Sequence, residues 1–230
     1  MRRYLHLAVA LTGLALLLPV ANAQTPAPSV PNSLPVLDGI PGPLTWQHPP
    51  KTWKIDTGKT LTITADKATN WYISAVGDDK SDSSNRLLFK PAADFVLNAK
   101  VTVGNRSTWD AGGLVLYVND TVWAKFGIEV TTNKVPTIVS VVTRGISDDN
   151  NSIAIPSGTA YLKVAKAGTG ILFYESADGN NWSIIRAFTL GDVPDLRVGF
   201  SSQSPVGEGC TSVFSEIQYQ PKKIDLWAGK

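Results

Sequence analysis

The chain has 230 residues, a formal net charge of +2, 17% charged residues and one cysteine. A single cysteine excludes an intrachain disulfide framework, so stability must come from core burial. Near neutrality argues against nucleic acid or an anionic membrane surface as partner.

Residues 1–23 have the layout of a secretory signal peptide. Arg2 and Arg3 give the positive start, Leu5 to Leu18 the apolar run, and Ala21-Asn22-Ala23 an A-x-A cleavage site. The apolar run is short for a membrane span. The expectation is an exported chain, periplasmic or extracellular after cleavage near Ala23, with no membrane insertion. Gln24 to Pro43 is rich in Pro, Ser and Ala and reads as an extended leader. The folded domain is expected over residues 44–222.

From Trp53 onward the sequence reads as strand after strand. Period-two alternation with β-branched or aromatic residues marks Thr60–Thr64, Trp71–Ser74, Arg86–Lys90, Phe95–Val103, Gly113–Val118, Thr121–Val130 and Thr137–Arg144. It continues over Ala160–Ala165, Ile171–Ser176, Trp182–Thr189, Arg197–Ser202 and Thr211–Tyr219. Asn-, Asp- and Gly-rich turns separate them. No helical period reaches ten residues beyond the signal peptide. The prediction is an all-β, antiparallel two-sheet jelly-roll sandwich. Cys210, the lone thiol, is expected as a small core residue rather than a nucleophile.

The run Thr121–Val130, T-V-W-A-K-F-G-I-E-V, is the most informative strand. Side chains alternate across a strand, so Val122, Ala124, Phe126, Ile128 and Val130 form an apolar face. Trp123, Lys125, Gly127 and Glu129 form the other. An aromatic plate, a cation and a carboxylate on one face suit sugar recognition, and they also suit a solvated face. If Val139 and Val141 of the next strand face the core, Ser140 and Arg144 join the polar face, and Arg144 can pair with Glu129. The candidate ligand-binding residues are therefore Trp123, Lys125, Glu129, Ser140 and Arg144.

Hydrolase chemistry needs a second carboxylate, about 5–5.5 Å away for retention or about 6.5–9.5 Å for inversion. No glutamate has a carboxylate partner at i+2 on its own strand face; the pairing left open is Glu129 with Glu175 or with an Asp from another strand, and Glu129 is the catalytic candidate if the protein is an enzyme. His48 lies among prolines and His6 in the signal peptide, which leaves no material for a histidine-based zinc site or triad. The acidic runs Asp78-Asp79-Lys80-Ser81-Asp82 and Ser147-Asp148-Asp149-Asn150 carry oxygen ligands of the kind calcium takes, but no fixed loop template. A structural calcium and a pair of solvated loops are both compatible with them. No cofactor is implied.

Three stretches, Trp109-Asp110-Ala111-Gly112-Gly113-Leu114, Trp123 to Glu129, and Ser140 to Asp148, occur in an order that resembles domain of unknown function family 1349. This is the regulation-of-enolase-like family. The hairpin Ser176-Ala177-Asp178-Gly179-Asn180-Asn181-Trp182 and the later Val198-Gly199-Phe200 fall where that family has them. The resemblance implies a concanavalin A-like jelly roll, whose curved sheet binds glycans in many lectins and houses catalysis in many glycosidases. One loop departs from the pattern: Ser147-Asp148-Asp149-Asn150 lacks an aromatic found there in the family. The leading expectation is non-catalytic carbohydrate binding on the concave sheet, with a glycan or polysaccharide as partner. A glycoside hydrolase or lyase using Glu129 is one alternative. A structural or protein-interaction module of the envelope is another.

Overall fold

The computed structural model describes residues 34–104 and 107–229. The expected signal peptide and the first part of the leader lie outside them. Sixteen strands follow in order. They are β1 (Thr45–Gln47), β2 (Thr52–Asp56), β3 (Thr60–Asp66), β4 (Trp71–Ile73), β5 (Lys80–Asp82), β6 (Asn85–Phe89), β7 (Phe95–Val103) and β8 (Ala111–Asn119). The second half is β9 (Val122–Val130), β10 (Pro136–Arg144), β11 (Ile146–Ala154), β12 (Thr159–Ala167), β13 (Gly170–Ser176), β14 (Ser183–Thr189), β15 (Arg197–Gln203) and β16 (Gly209–Gln220).

Two antiparallel sheets of seven strands form the predicted sandwich. Sheet A has the order β1-β6-β15-β8-β9-β10-β11, and sheet B the order β14-β13-β12-β7-β16-β3-β2. No helix occurs among the described residues. Alternation puts one face of each strand between the sheets, where the main core includes Ile63, Leu97, Val101, Phe126, Ile128, Phe173, Phe200 and Phe214. Phe126 of sheet A stacks on Phe173 of sheet B at 4.6 Å, and Phe200 meets Phe214 edge-on at 5.2 Å. Truncating such a ring to alanine costs about 3–5 kcal/mol, so these pairs tie the sheets together. Cys210 is buried in this core, and burial pushes its thiol up to about 12.

The expected strands are present, and four more accompany them: β1, β2, β5 and β11. Strand β11 covers the acidic run that the sequence suggested as a loop. It is an edge strand whose residues are largely exposed on both faces, so no apolar alternation marks it.

The leader is shorter than its composition suggested. Leu37 is buried in the main core, and Asp38 N–H donates to the Gly58 carbonyl at 2.7 Å. One leucine among prolines finds an apolar niche that composition cannot reveal. At the other end Ile224 and Leu226 pack on Val96, Leu172 and Tyr174 over the outer face of sheet B.

The S-x-D-G-x-x-W hairpin is structural. Asp178 Oδ1 accepts from the backbone N–H groups of Asn180 and Asn181, both at 2.8 Å, which holds its carboxyl well below the usual range. Gly179 supplies φ +77°, and Trp182 packs beside the tail.

The feature that shapes the candidate site is a small separate sheet of β4 and β5. It crosses the outer face of sheet A and builds a second apolar cluster there, with Trp71 meeting Leu88, Val115, Trp123, Val139 and Val141.

Candidate functional site

Strand register decides which residues share the outer face of sheet A. Directly opposed residues point to the same side. Trp123 lies opposite Tyr117 and Thr143, Lys125 opposite Val115 and Val141, and Glu129 opposite Ala111 and Thr137. Ser140 instead opposes Phe126, and Arg144 opposes Val122, so both face sheet B. There Ser140 is fully buried and accepts from Arg186 at its carbonyl, 3.4 Å away. Arg144 Nη1 donates to the Thr189 carbonyl at 3.1 Å. Neither belongs to the candidate site, and Arg144 does not pair with Glu129. The cause is that both faces of β10 are apolar: Val139 and Val141 lie under the β4–β5 hairpin, while Ile138 and Val142 lie in the main core. Period-two reasoning cannot choose a face for such a strand.

Trp123 is the second correction. It is on the expected face but has no exposed surface, because Trp71 stacks on it at 4.0 Å with planes 23° apart. The Arg86 guanidinium lies 4.2 Å from the Trp71 ring and 2.6 Å from Asp82 at the end of the hairpin. Trp123 is thus a wall of an internal cluster, closed to any ligand.

Beyond Trp123 the same face opens. Gly127 sits between Lys125 and Glu129 and opposes Gly113 on β8. A Cβ at Gly113 would lie 2.2 Å from the Phe126 carbonyl oxygen, and one at Gly127 would lie 2.5 Å from that of Gly112. Only glycine fits, and β8 and β9 therefore carry no side chains between the two charged residues, with Val139 and Ser201 flanking the gap on β10 and β15. A water-sized pocket of about 30 Å³ lies over this bare floor, and a cavity of about 480 Å³ also reaches Lys125 and Glu129. The β4–β5 segment contributes Tyr72, Asp78 and Asp79 to the larger cavity, β11 contributes Asp149 and Asn151, and β15 contributes Gln203.

Burial sets the electrostatics. Lys125 is pushed down by desolvation, which nearby Glu129 and Asp149 oppose. Its Nζ donates to the Trp71 carbonyl at 2.9 Å and to Gln203 Oε1 at 3.4 Å. Desolvation raises Glu129 to about 7 against the attraction of Lys125, and Asp149 adds to the rise. Asp149 is also raised by burial, with Lys125 and a hydrogen bond from Tyr72 acting the other way. The recessed Glu129 carboxylate has a charged neighbourhood but no hydrogen-bond donor from the described protein.

The lip of the cavity carries an aromatic that the sequence did not single out for binding. Trp109 is 44% exposed and holds φ +65°, a left-handed conformation uncommon for a bulky residue. Its N–H donates to the Val130 carbonyl at 2.7 Å, and its carbonyl accepts from Gln203 Nε2 at 3.3 Å. The adjacent Asp110 is fully buried and accepts from Ser204 Oγ at 2.7 Å and Ser107 N–H at 2.8 Å. These bonds anchor the turn that presents the indole. Val76 and Val206, also exposed, stand on neighbouring segments. Of the five sequence candidates, Lys125 and Glu129 remain. Trp109, Tyr72, Asp149 and Gln203 join them. Trp109 was already visible in the W-D-A-G-G stretch. The other three come together only through the hairpin and the edge strand.

The two acidic runs do converge on this cavity, through Asp78, Asp79 and Asp149. Several of their carboxylates are engaged: Asp78 with Ser74, Asp79 with Ser81, Asp82 with Arg86 and Asp148 with Arg186. Among the described residues no group of three or more His, Cys, Asp or Glu is placed to hold a metal ion.

Known proteins share the fold. The chain is 27% identical over 175 residues to Regulation of enolase protein 1 of Saccharomyces cerevisiae (strain ATCC 204508 / S288c), covering 75% of this chain and 86% of that one. The crystal structure of a functionally unknown protein from Saccharomyces cerevisiae superposes with a TM-score of 0.73 at 22% identity, over 79% of this chain and 97% of that one. The GH43 protein BlXynB from Bacillus licheniformis gives a TM-score of 0.60 at 16% identity, over 77% of this chain and 37% of that one. Residues 46–222 match the family described as "Protein of unknown function (DUF1349)", and the chain belongs to that family.

Proposed function

We propose that the protein binds carbohydrate, without turning it over, in the cavity on the outer face of sheet A. The observation that carries this reading is an exposed Trp109 at the lip of a recess lined by hydrogen-bonding groups. The C–H face of a sugar ring needs a flat apolar surface, and its hydroxyls need acceptors and donors at fixed positions. Trp109 offers the first. Glu129, Asp149, Asn151, Gln203 and the remaining proton of Lys125 offer the second. The bare glycine floor lets a ring approach the sheet. The signal-like residues 1–23 fit a protein that meets glycans after export.

Titration of immobilised and soluble glycans against Trp109→Ala and Trp123→Leu tests the reading. Binding is lost in Trp109→Ala and kept in a folded Trp123→Leu. Equal binding by Trp109→Ala and the parent would remove this cavity from consideration.

Glycoside hydrolysis is the second reading, favoured by one observation. Glu129, raised to about 7, holds a proton near neutrality as a general acid must, and Asp149 is a second carboxylate close enough to influence it. Turnover of aryl glycosides that vanishes in both Glu129→Gln and Asp149→Asn would establish it over simple binding.

A further inference from the structure

We infer that the cavity selects a positively charged sugar, one carrying a free ammonium group, over neutral or acidic sugars. This deepens the carbohydrate reading and rests on it.

The charges lining the cavity are unequal. Asp78 and Asp79 reach it from the hairpin, Glu129 from β9 and Asp149 from β11, while among the described residues Lys125 is the one cationic side chain in the lining. Lys125 is partly spent, since its Nζ already serves the Trp71 carbonyl and Gln203. Carboxylates in a concave, partly desolvated site reinforce one another's field, so the potential inside the cavity is negative.

The second, independent observation is Glu129. Its carboxylate faces both the cavity and the small pocket over the glycine floor, yet it receives no hydrogen bond from the described protein. The half-buried Glu129 carboxyl has no donor from the described protein, and a ligand that brings an N–H donor with a positive charge favours its ionised form over the protonated one. Desolvation raises both Glu129 and Asp149, and a cation bound beside them would favour their ionised forms.

A bare metal ion suits this arrangement poorly, because no three acidic side chains converge on one point among the described residues. An amino sugar suits it better. The ammonium needs a negative field and one or two acceptors, the ring needs Trp109, and the hydroxyls take Asn151 and Gln203. Cation and aromatic also attract one another directly.

Calorimetric titration of the purified protein at pH 6.5 and low salt compares four probes. They are a β-1,4-linked glucosamine tetrasaccharide, its N-acetylated counterpart, cellotetraose and a tetragalacturonate. The glucosamine oligomer is expected to bind about tenfold tighter than cellotetraose, an advantage that shrinks as salt screens the field. Asp79→Asn reduces that affinity by about three- to tenfold and leaves cellotetraose within about twofold. Equal binding of the glucosamine and neutral oligomers overturns the inference and leaves the carbohydrate reading standing. Tighter binding of the galacturonate does the same. Glucosamine binding that survives Trp109→Ala and Asp149→Asn marks unspecific attraction and overturns it too. Calcium that binds tightly and excludes the amino sugar replaces it as the cation. Failure of every sugar sinks the carbohydrate reading itself.

Discussion

Trp123 and Glu129 lie on one face of one strand, six residues and about 20 Å apart, and they meet opposite surroundings. At the Trp123 end a hairpin from another part of the chain lays Trp71 on the indole and excludes solvent. At the Glu129 end the same face borders a cavity, over glycines that leave the sheet bare. The closed end turns polar-face residues into a second core. The open end leaves the Glu129 carboxyl without a donor from the described protein, while Lys125 is held by the Trp71 carbonyl and Gln203. A residue's face is therefore a local property, whereas its availability depends on what chain crosses above it.

Replacing Trp123 by alanine should produce the largest effect, a loss of about 3–5 kcal/mol in chemical denaturation, because it empties the cluster beneath Trp71. A loss under about 1 kcal/mol would show that the hairpin does not seal this end. Trp109→Ala reverses the pattern, with about 2 kcal/mol of ligand affinity lost and stability nearly unchanged. Trp109→Gly should lose the same affinity and gain up to about 1 kcal/mol of stability, since glycine accepts φ +65° without strain.

Glu129 sharpens the contrast through pH. Its folded value of about 7 lies above the ordinary glutamate value of 4.5. Between these values the unfolded chain releases a proton that the folded chain keeps, so this group's contribution falls as pH rises. Glu129→Gln should therefore be about 1–2 kcal/mol more stable than the parent at pH 8 and equal to it near pH 4. Parallel stability curves for the two proteins would mean that the carboxylate is solvated in the folded state. The smallest effect belongs to Asp148→Asn. Its bridge to Arg186 spans 2.6 Å, but Asp148 is mostly exposed, so the change should cost about 0.5 kcal/mol and leave ligand affinity intact. A binding defect there would extend the site around the edge of β11.

Much of the fold was legible because period-two patterns are local. The alternation of Val122, Ala124, Phe126, Ile128 and Val130 predicts a strand with one buried face, and Ala124, Phe126 and Ile128 do enter the main core. Strand β10 shows the limit. With Val139 and Val141 on one face and Ile138 and Val142 on the other, either assignment is consistent with the pattern, and the wrong one carries Ser140 and Arg144 with it. Strand β11 shows another: an exposed edge strand of Ser, Asp and Asn looks like a loop, which hid Asp149.

The sequence alone determined the fold class, the strand ladder, the buried thiol and the outward direction of Lys125 and Glu129. Each follows from alternation and composition over a few neighbouring residues. Tertiary structure decided which aromatic is available, which strand face is covered, and that Asp149, Tyr72 and Gln203 meet at one cavity. Those outcomes depend on register between distant strands and on the path of the β4–β5 hairpin. Contacts between segments far apart in the chain leave no periodic trace in either one.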